Sequence, residues 1–190
     1  MRLTKDIRGY SVVFSLRFFM IVKISLIISL FLLSTYTFAD FNAKVVKIVD
    51  GDTIHAKDYM SNKIYKVRLL GIDAPEKDQS YGKRSTNFLK GIIDKKYISI
   101  ISKPKNNNPF SLDRYKRVIG KIVYENKDIN YLMLQNGMAW HYKKYKNSQS
   151  KVDQESYSIV ESIARKNSVG LWSASKPIPP WKWRKAYRKR

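Results

Sequence analysis

The chain is predicted to be an α+β protein, a small five-stranded Greek-key β-barrel with about three α-helices packed on it. Three observations predict this. Five short runs rich in β-branched residues are each bounded by turn signals. An amphipathic stretch separates the third run from the fourth, and two further helical stretches follow the fifth.

The first strand is read over Phe41–Val49 (FNAKVVKIV). Asp50-Gly51 then forms a hairpin signal, because both residues tolerate the positive φ of a tight turn. Thr53–Lys57 returns as the second strand, Asn62 turns, and Ile64–Leu70 (IYKVRLL) is the third. Pro75 bars regular pairing in the Gly71–Glu76 loop. A helix follows over about Tyr81–Ile93, with Phe88, Leu89, Ile92 and Ile93 on one face. Tyr97–Ile101 and Val118–Tyr124 are the fourth and fifth strands, separated by the polar loop Pro104–Pro109. Ile129–Asn136 is a short helix ended by Gly137, and Val152–Asn167 is a longer one facing inward through Tyr157, Val160, Ile163 and Ala164. Tyr131, Trp140 and Trp172 are expected in the core. Short strands with a helix between the third and fourth match the oligonucleotide-binding type of barrel.

Two segments fall outside this barrel, which leaves residues 40–175 as the single domain. Residues 1–39 carry Lys23, the apolar run Ile24–Leu33, and the small residue Ala39 just before Asp40. That is the pattern of a cleaved signal peptide and predicts export, secreted or periplasmic. Met20 makes a natural start for a signal of ordinary length. A retained membrane anchor is the alternative, although Ile24–Phe38 is shorter than the roughly 20 apolar residues a span needs. From Lys176 the chain reads KPIPPWKWRKAYRKR, with seven basic residues, three aromatics and three prolines. Residues 176–190 are expected to form a mobile basic tail, since such a composition buries no core of its own. Trp181, Trp183 and Tyr187 among its cations suit contact with bases or with an anionic membrane or cell surface.

Charge narrows the function. The chain has 37 Lys and Arg against 15 Asp and Glu, a formal charge of +22. Five of those basic residues and one acidic residue precede Asp40, which leaves 32 against 14, or +18, on the rest. Such an excess repels itself in a compact state and points to a polyanionic partner, nucleic acid first and anionic lipid second. There is no Cys, so disulfides, thiolate nucleophiles and cysteine-zinc sites are excluded. The two histidines, His55 and His141, are too few for a His-rich metal centre and are read as surface or packing residues.

Chemistry is left to carboxylates, guanidinium groups and a hard cation. Asp52 lies at the first hairpin, and Asp73 and Glu76 lie just past the third strand; a strand spans roughly 20 Å, so the turn after the first strand and the loop after the third can share one end of the barrel. Carboxylates gathered in this way repel one another unless a cation neutralises them, and with these residue types the cation is Ca²⁺ or Mg²⁺. Arg68 on the third strand and Arg117 opening the fifth present the forked geometry that holds two phosphate oxygens. Phosphodiester hydrolysis needs an activated water, a metal and cations for the growing charge, and each has a candidate here.

V-D-G-D-T (Val49–Thr53), V-R-L-L-G-I-D-A-P-E (Val67–Glu76) and D-R-Y-K-R (Asp113–Arg117) occur in the order and spacing of the staphylococcal nuclease (thermonuclease) family. Over Phe41–Trp172 the chain resembles that family, with N-G-M-A-W (Asn136–Trp140) and V-G-L-W (Val169–Trp172) similar to its helical region. The resemblance implies a Ca²⁺-dependent barrel enzyme cutting DNA and RNA internally and leaving 3′-phosphates, and the chain is read as a monomer. It assigns Asp52 and Asp73 to the metal, with the backbone carbonyl of Thr53. It makes Glu76 the general base, Arg68 and Arg117 the phosphate-binding arginines, and Asp113 and Tyr115 neighbours of the substrate phosphate. Tyr145 matches one of the family's aromatic substrate contacts, and the other falls near Lys143. Lys116 stands where the family usually has Gly. Two other classes compete: a barrel that binds single-stranded nucleic acid without cutting it, and a surface-attachment protein gripping anionic polymer through its tail.

Overall fold

The computed structural model describes residues 39–105 and 108–187. The expectation for residues 1–39 therefore lies outside the described residues, save that the first strand already starts at Ala39.

Strands β1 (Ala39–Ile48), β2 (Thr53–Asp58) and β3 (Ile64–Leu69) form an antiparallel meander, while β4 is the short Ile72–Asp73. Helix α1 (Gly82–Ile93) leads to β5 (Tyr97–Ser102), which pairs with β1, and β6 (Val118–Tyr124) pairs with β5. The sheet closes where β3 meets β6 in parallel, Val67 opposite Val118 and Leu69 opposite Gly120. This is the predicted closed five-stranded barrel, with antiparallel pairs and one parallel junction. Successive side chains in a strand point to opposite faces, and β5 and β6 alternate between buried and half-exposed residues accordingly. Ala43, Val45, Ile54, Ala56, Val67, Leu69, Ile100 and Ile122 fill the interior. At Gly120 an added Cβ would lie 2.8 Å from the Ile100 side chain on β5, so a larger residue there would force that side chain to shift.

The closing seam is fastened by one fully buried amide. Asn130 accepts from the Ile122 N–H at 3.1 Å and donates to the Leu70 carbonyl at 2.9 Å. It belongs to α2 (Ile129–Gln135), which follows the two-residue β7 (Lys127–Asp128) and is capped by Asp128 accepting from the Tyr131 N–H at 3.0 Å. Strand β8 (Trp140–His141) pairs with β4, then a 3-10 segment Lys143–Ser148 leads to α3 (Lys151–Lys166). Ser150 caps α3 by accepting from the Asp153 N–H at 3.0 Å.

Helix α3 departs from expectation in one respect. Ile163 is exposed, and Glu161 takes its place among the buried residues with Tyr157, Val160 and Ala164. The Glu161 carboxylate accepts from the His141 N–H at 3.0 Å and pairs with Arg165 at 3.1 Å, which compensates its burial. Both histidines behave as expected, His141 as a packing residue bonded to Gln149 and Ser158.

Part of the segment expected to be a mobile tail is helical among the described residues. Pro180–Tyr187 forms a helix, α4, with Pro at the first position, where its missing N–H costs nothing. Trp181 packs edge-on against Trp140 at 5.6 Å and stacks on Tyr142 at 5.4 Å. Gln79 donates to the Ile178 carbonyl, fixing the approach to the helix. Composition suggested a tail with no core of its own; Trp181 instead joins a second apolar cluster, with Trp140, Ala164, Leu171 and Trp172, apart from the barrel interior.

Candidate active site

Strand register sets the first part of the site. Thr53 on β2 lies directly opposite Arg68 on β3, and the Leu69 N–H donates to the Asp52 carbonyl at 2.8 Å. Arg68 then forks across two carboxylates, with Nη1 3.0 Å from Asp52 Oδ2 and Nη2 2.8 Å from Asp73 Oδ1. The Ala74 N–H closes the group by donating to Asp52 Oδ2 at 2.6 Å. Pairing of Asp73 with Trp140 across β4 and β8 fixes that carboxylate from behind. Asp52 and Asp73 are 6% and 1% exposed, so both charges are drawn well away from water.

Burial is the largest influence on these acids. It raises the Asp73 carboxyl above its ordinary value, and the Asp52 charge adds to the rise, against hydrogen bonding from Arg184 and the charge of Arg68. Asp50, whose Oδ1 accepts from the Asp52 N–H at 3.0 Å, is pushed up to about 7 by burial and by the Asp52 charge. The cluster holds more negative charge than its surroundings fully answer.

Glu76 lies beside this pair in a tight loop. Its N–H donates to Gln79 Oε1 at 3.1 Å, and its carbonyl accepts from the Gln79 N–H at 2.9 Å. A Cβ on Gly82 would collide with the Glu76 carbonyl oxygen, so the close approach of α1 to this loop depends on glycine. The Glu76 side chain is 37% exposed, which lets its carboxylate reach a water.

Arg117 arrives from the opposite side on a turn that Asp113 organises. Asp113 Oδ1 accepts from the Tyr115 and Arg117 N–H groups at 2.8 and 3.0 Å, and Oδ2 accepts from Arg117 Nε at 2.7 Å. Burial alone would raise the Asp113 carboxyl, yet the hydrogen bonds and charge of Arg117 hold it below the usual range. Lys116 adopts φ 61°, the left-handed conformation that glycine takes without strain, so the turn is kept despite the side chain. Arg117 Nη1 donates to Thr53 Oγ1 at 3.3 Å, and Thr53 Oγ1 donates to Asp52 Oδ1 at 3.0 Å. The second arginine is thereby wired to the first carboxylate.

Asp52, Arg68, Asp73, Glu76 and Arg117 thus gather at one end of the barrel through Thr53 and Arg184. Tyr115 is exposed, with its ring under Arg114 and Arg117 at 4.7 and 5.5 Å. Tyr145 is exposed too and meets the neighbouring Tyr142 at 5.3 Å.

One expectation is corrected. The Thr53 carbonyl accepts from the Val49 and Asp50 N–H groups at 2.9 and 3.3 Å inside the hairpin. Both its lone pairs are engaged, so Thr53 serves the site through its hydroxyl, not as a carbonyl ligand.

Arg184 on α4 is the residue sequence reading missed. Its Nη1 lies 2.6 Å from Glu76 Oε1 and 3.1 Å from Asp73 Oδ1, and its Nη2 lies 2.8 Å from Asp73 Oδ2. The signal was Pro180 followed by Trp181 and Arg184, a helix start with two residues at the i, i+3 spacing that shares a face.

The donor chemistry suits a hard divalent ion: buried carboxylate oxygens, excess negative charge and no sulfur. Among the described residues no three His, Cys, Asp or Glu side chains are placed to hold a metal together. The residues that could hold such an ion are therefore the Asp52 and Asp73 carboxylates.

A closed barrel bearing paired buried aspartates, a solvent-reaching glutamate and two arginines at one end is an arrangement suited to binding and polarising phosphate. Comparison with known proteins gives the family. Residues 66–174 match the model of the staphylococcal nuclease homologues. An uncharacterized endonuclease of Escherichia coli is 35% identical over 147 residues, covering 77% of this chain and 86% of its own length. The micrococcal nuclease of Shigella flexneri is 34% identical over 165 residues, 82% of this chain and 87% of its own. A staphylococcal-like nuclease of Arabidopsis thaliana is 34% identical over 126 residues, 66% of this chain but 35% of that longer protein. The chain belongs to the staphylococcal nuclease family and is a nuclease.

Proposed function

We propose that the protein is a Ca²⁺-dependent endonuclease that hydrolyses DNA and RNA and leaves 3′-phosphate products. The observation that carries this reading is the fork of Arg68 across Asp52 and Asp73, with Glu76 and Arg117 disposed around it.

Asp52 and Asp73 would hold the ion, which when bound polarises a phosphoryl oxygen. Glu76 removes the proton from the attacking water. Arg68 and Arg117 draw in the phosphate and hold the charge that builds on its oxygens. The water oxygen bonds to phosphorus, the bond to the 5′-oxygen breaks, and the phosphate stays on the 3′ side. Tyr115, exposed and backed by two guanidinium groups, is placed to lie against the substrate, and Tyr145 offers a further aromatic surface.

The charge of +18 beyond residue 39 supports a polyanionic substrate. The pattern of residues 1–39 supports export, with membrane anchoring as its alternative. Lys182 and Lys185 on α4 stay exposed, which supports contact with nucleic acid or an anionic surface.

Digestion of supercoiled plasmid and of end-labelled DNA and RNA strands tests the reading. Nicking with Ca²⁺, none in excess chelator, and 3′-phosphate ends are expected. Undiminished cleavage in chelator would remove the metal role, and tight binding without cleavage would leave only a binding barrel.

A further inference from the structure

Arg184 stands where a positive charge is needed, and it comes from the part of the chain least expected to reach the site. Asp73 Oδ1 receives Arg68 at 2.8 Å and Arg184 at 3.1 Å, which engages both of its lone pairs. Asp73 Oδ2 receives Arg184 at 2.8 Å, and the same guanidinium takes Glu76 Oε1 at 2.6 Å. Both oxygens of one ion-holding carboxylate and one oxygen of the general base are therefore occupied by a single side chain.

A hard ion binds carboxylate oxygens at about 2.3–2.6 Å and carries two charges. Arg68 takes only Oδ1 of Asp73 and leaves Oδ2 to an ion, whereas Arg184 holds both oxygens, so the ion and Arg184 compete for the same lone pairs and repel each other at close range. The two modes exclude each other.

The remaining contacts of α4 do not depend on Arg184. Trp181 packs on Trp140 and Tyr142, and Gln79 holds the Ile178 carbonyl. The Arg184 side chain is 35% exposed and has an open path to solvent. Withdrawal thus needs rotation of one long side chain and leaves the helix in place.

We propose that Arg184 is a tethered counter-cation: it closes the Asp73–Glu76 side of the site in the metal-free protein and is displaced when the divalent ion enters. This rests on the reading of Asp52 and Asp73 as the ion-holding pair. Metal entry then does two things at once. It frees Glu76 to act on water, and it turns a basic side chain of α4 toward the phosphates of the substrate.

The test is calorimetric titration of Ca²⁺ into the full chain without nucleic acid, for the native protein and for Arg184→Gln, Arg184→Lys and Trp181→Ala. Arg184→Gln should bind Ca²⁺ roughly tenfold more tightly, since a competing bidentate, charge-assisted contact is gone. Arg184→Lys should fall between, because an ammonium keeps the charge but loses the fork. Trp181→Ala, which loosens the helix without touching a carboxylate, should also tighten binding and guards against misfolding of the first variant. The Ca²⁺-induced rise in Tm should be larger for Arg184→Gln than for the native chain. Equal or weaker binding by Arg184→Gln, in a protein whose native form does bind Ca²⁺, overturns the proposal and leaves the metal reading standing. Absence of Ca²⁺ binding by every form, including the native chain, overturns both.

Discussion

Asp113 grips Arg117 at three points, taking its backbone N–H on one carboxylate oxygen and both Nε and Nη2 on the other, the last two at 2.7 Å. Only Nη1 is directed at Thr53 and the carboxylates beyond. Asp113 therefore aims the arginine. Asp113→Ala is expected to lower kcat/KM by about 10- to 100-fold through lost preorganisation. Asp113→Asn, which can keep the backbone bonds, should lose less. Steady-state kinetics with circular dichroism as a fold check measures this.

Glu76 has one oxygen on Arg184, and its side chain reaches solvent. Glu76→Gln keeps its shape and removes its basicity. Turnover should fall by about 10²–10⁴-fold, the usual contribution of a general base, with Ca²⁺ binding little changed. A loss of Ca²⁺ binding equal to that of Asp73→Asn would place Glu76 among the ion's ligands instead.

Lys116 holds φ 61° without the freedom of glycine. The left-handed region costs a non-glycine residue roughly 1–2 kcal/mol, part of which is recovered from the more restricted unfolded chain. Lys116→Gly should stabilise the protein by about 1 kcal/mol, or ~2–4 °C in Tm for a domain of this size. Thermal melts check it, and nuclease rate should be unchanged because the Asp113 clamp remains.

Asp50 gives the metal-free protein a defined pH response. Its carboxyl is raised to about 7 by burial and by Asp52, so between pH 4 and 7 the folded chain keeps a proton the unfolded chain has released. The contribution of Asp50 to stability is therefore fullest near pH 4 and falls as pH rises to 7, by ~1–2 kcal/mol after solvent screening. Asp73 and Asp128, also raised chiefly by burial, act in the same direction. Asp50→Asn keeps an acceptor for the Asp52 N–H and should flatten the slope. Urea denaturation in chelator at pH 4.5 and 7.5 measures it.

The barrel was legible because its strands carry local signals. Val118–Tyr124 was read to its exact ends, since alternation in a half-buried strand is written in its own residues. Asp52, Arg68, Asp73, Glu76 and Arg117 were legible through motif spacing. The β4–β8 pairing was not, because two-residue strands have no periodicity, and their partners lie nearly 70 residues apart. Arg184 was hidden for another reason. Basic and proline-rich composition describes what a segment can bury alone, and it says nothing of a single tryptophan finding a place against Trp140 and Tyr142. Ile163 and Glu161 show the same limit, because apolar spacing cannot foresee that a carboxylate will be wanted under His141.

The parallel junction of β3 with β6 has a kinetic consequence. Val67 and Val118 meet across 51 positions of chain, and until they do, Arg68 and Arg117 belong to separate ends of an open ribbon. Hydrolytic competence therefore arises at the last stitch of the sheet rather than growing with secondary structure. A refolding time course should show cutting ability lag behind far-ultraviolet ellipticity and rise together with burial of the interior.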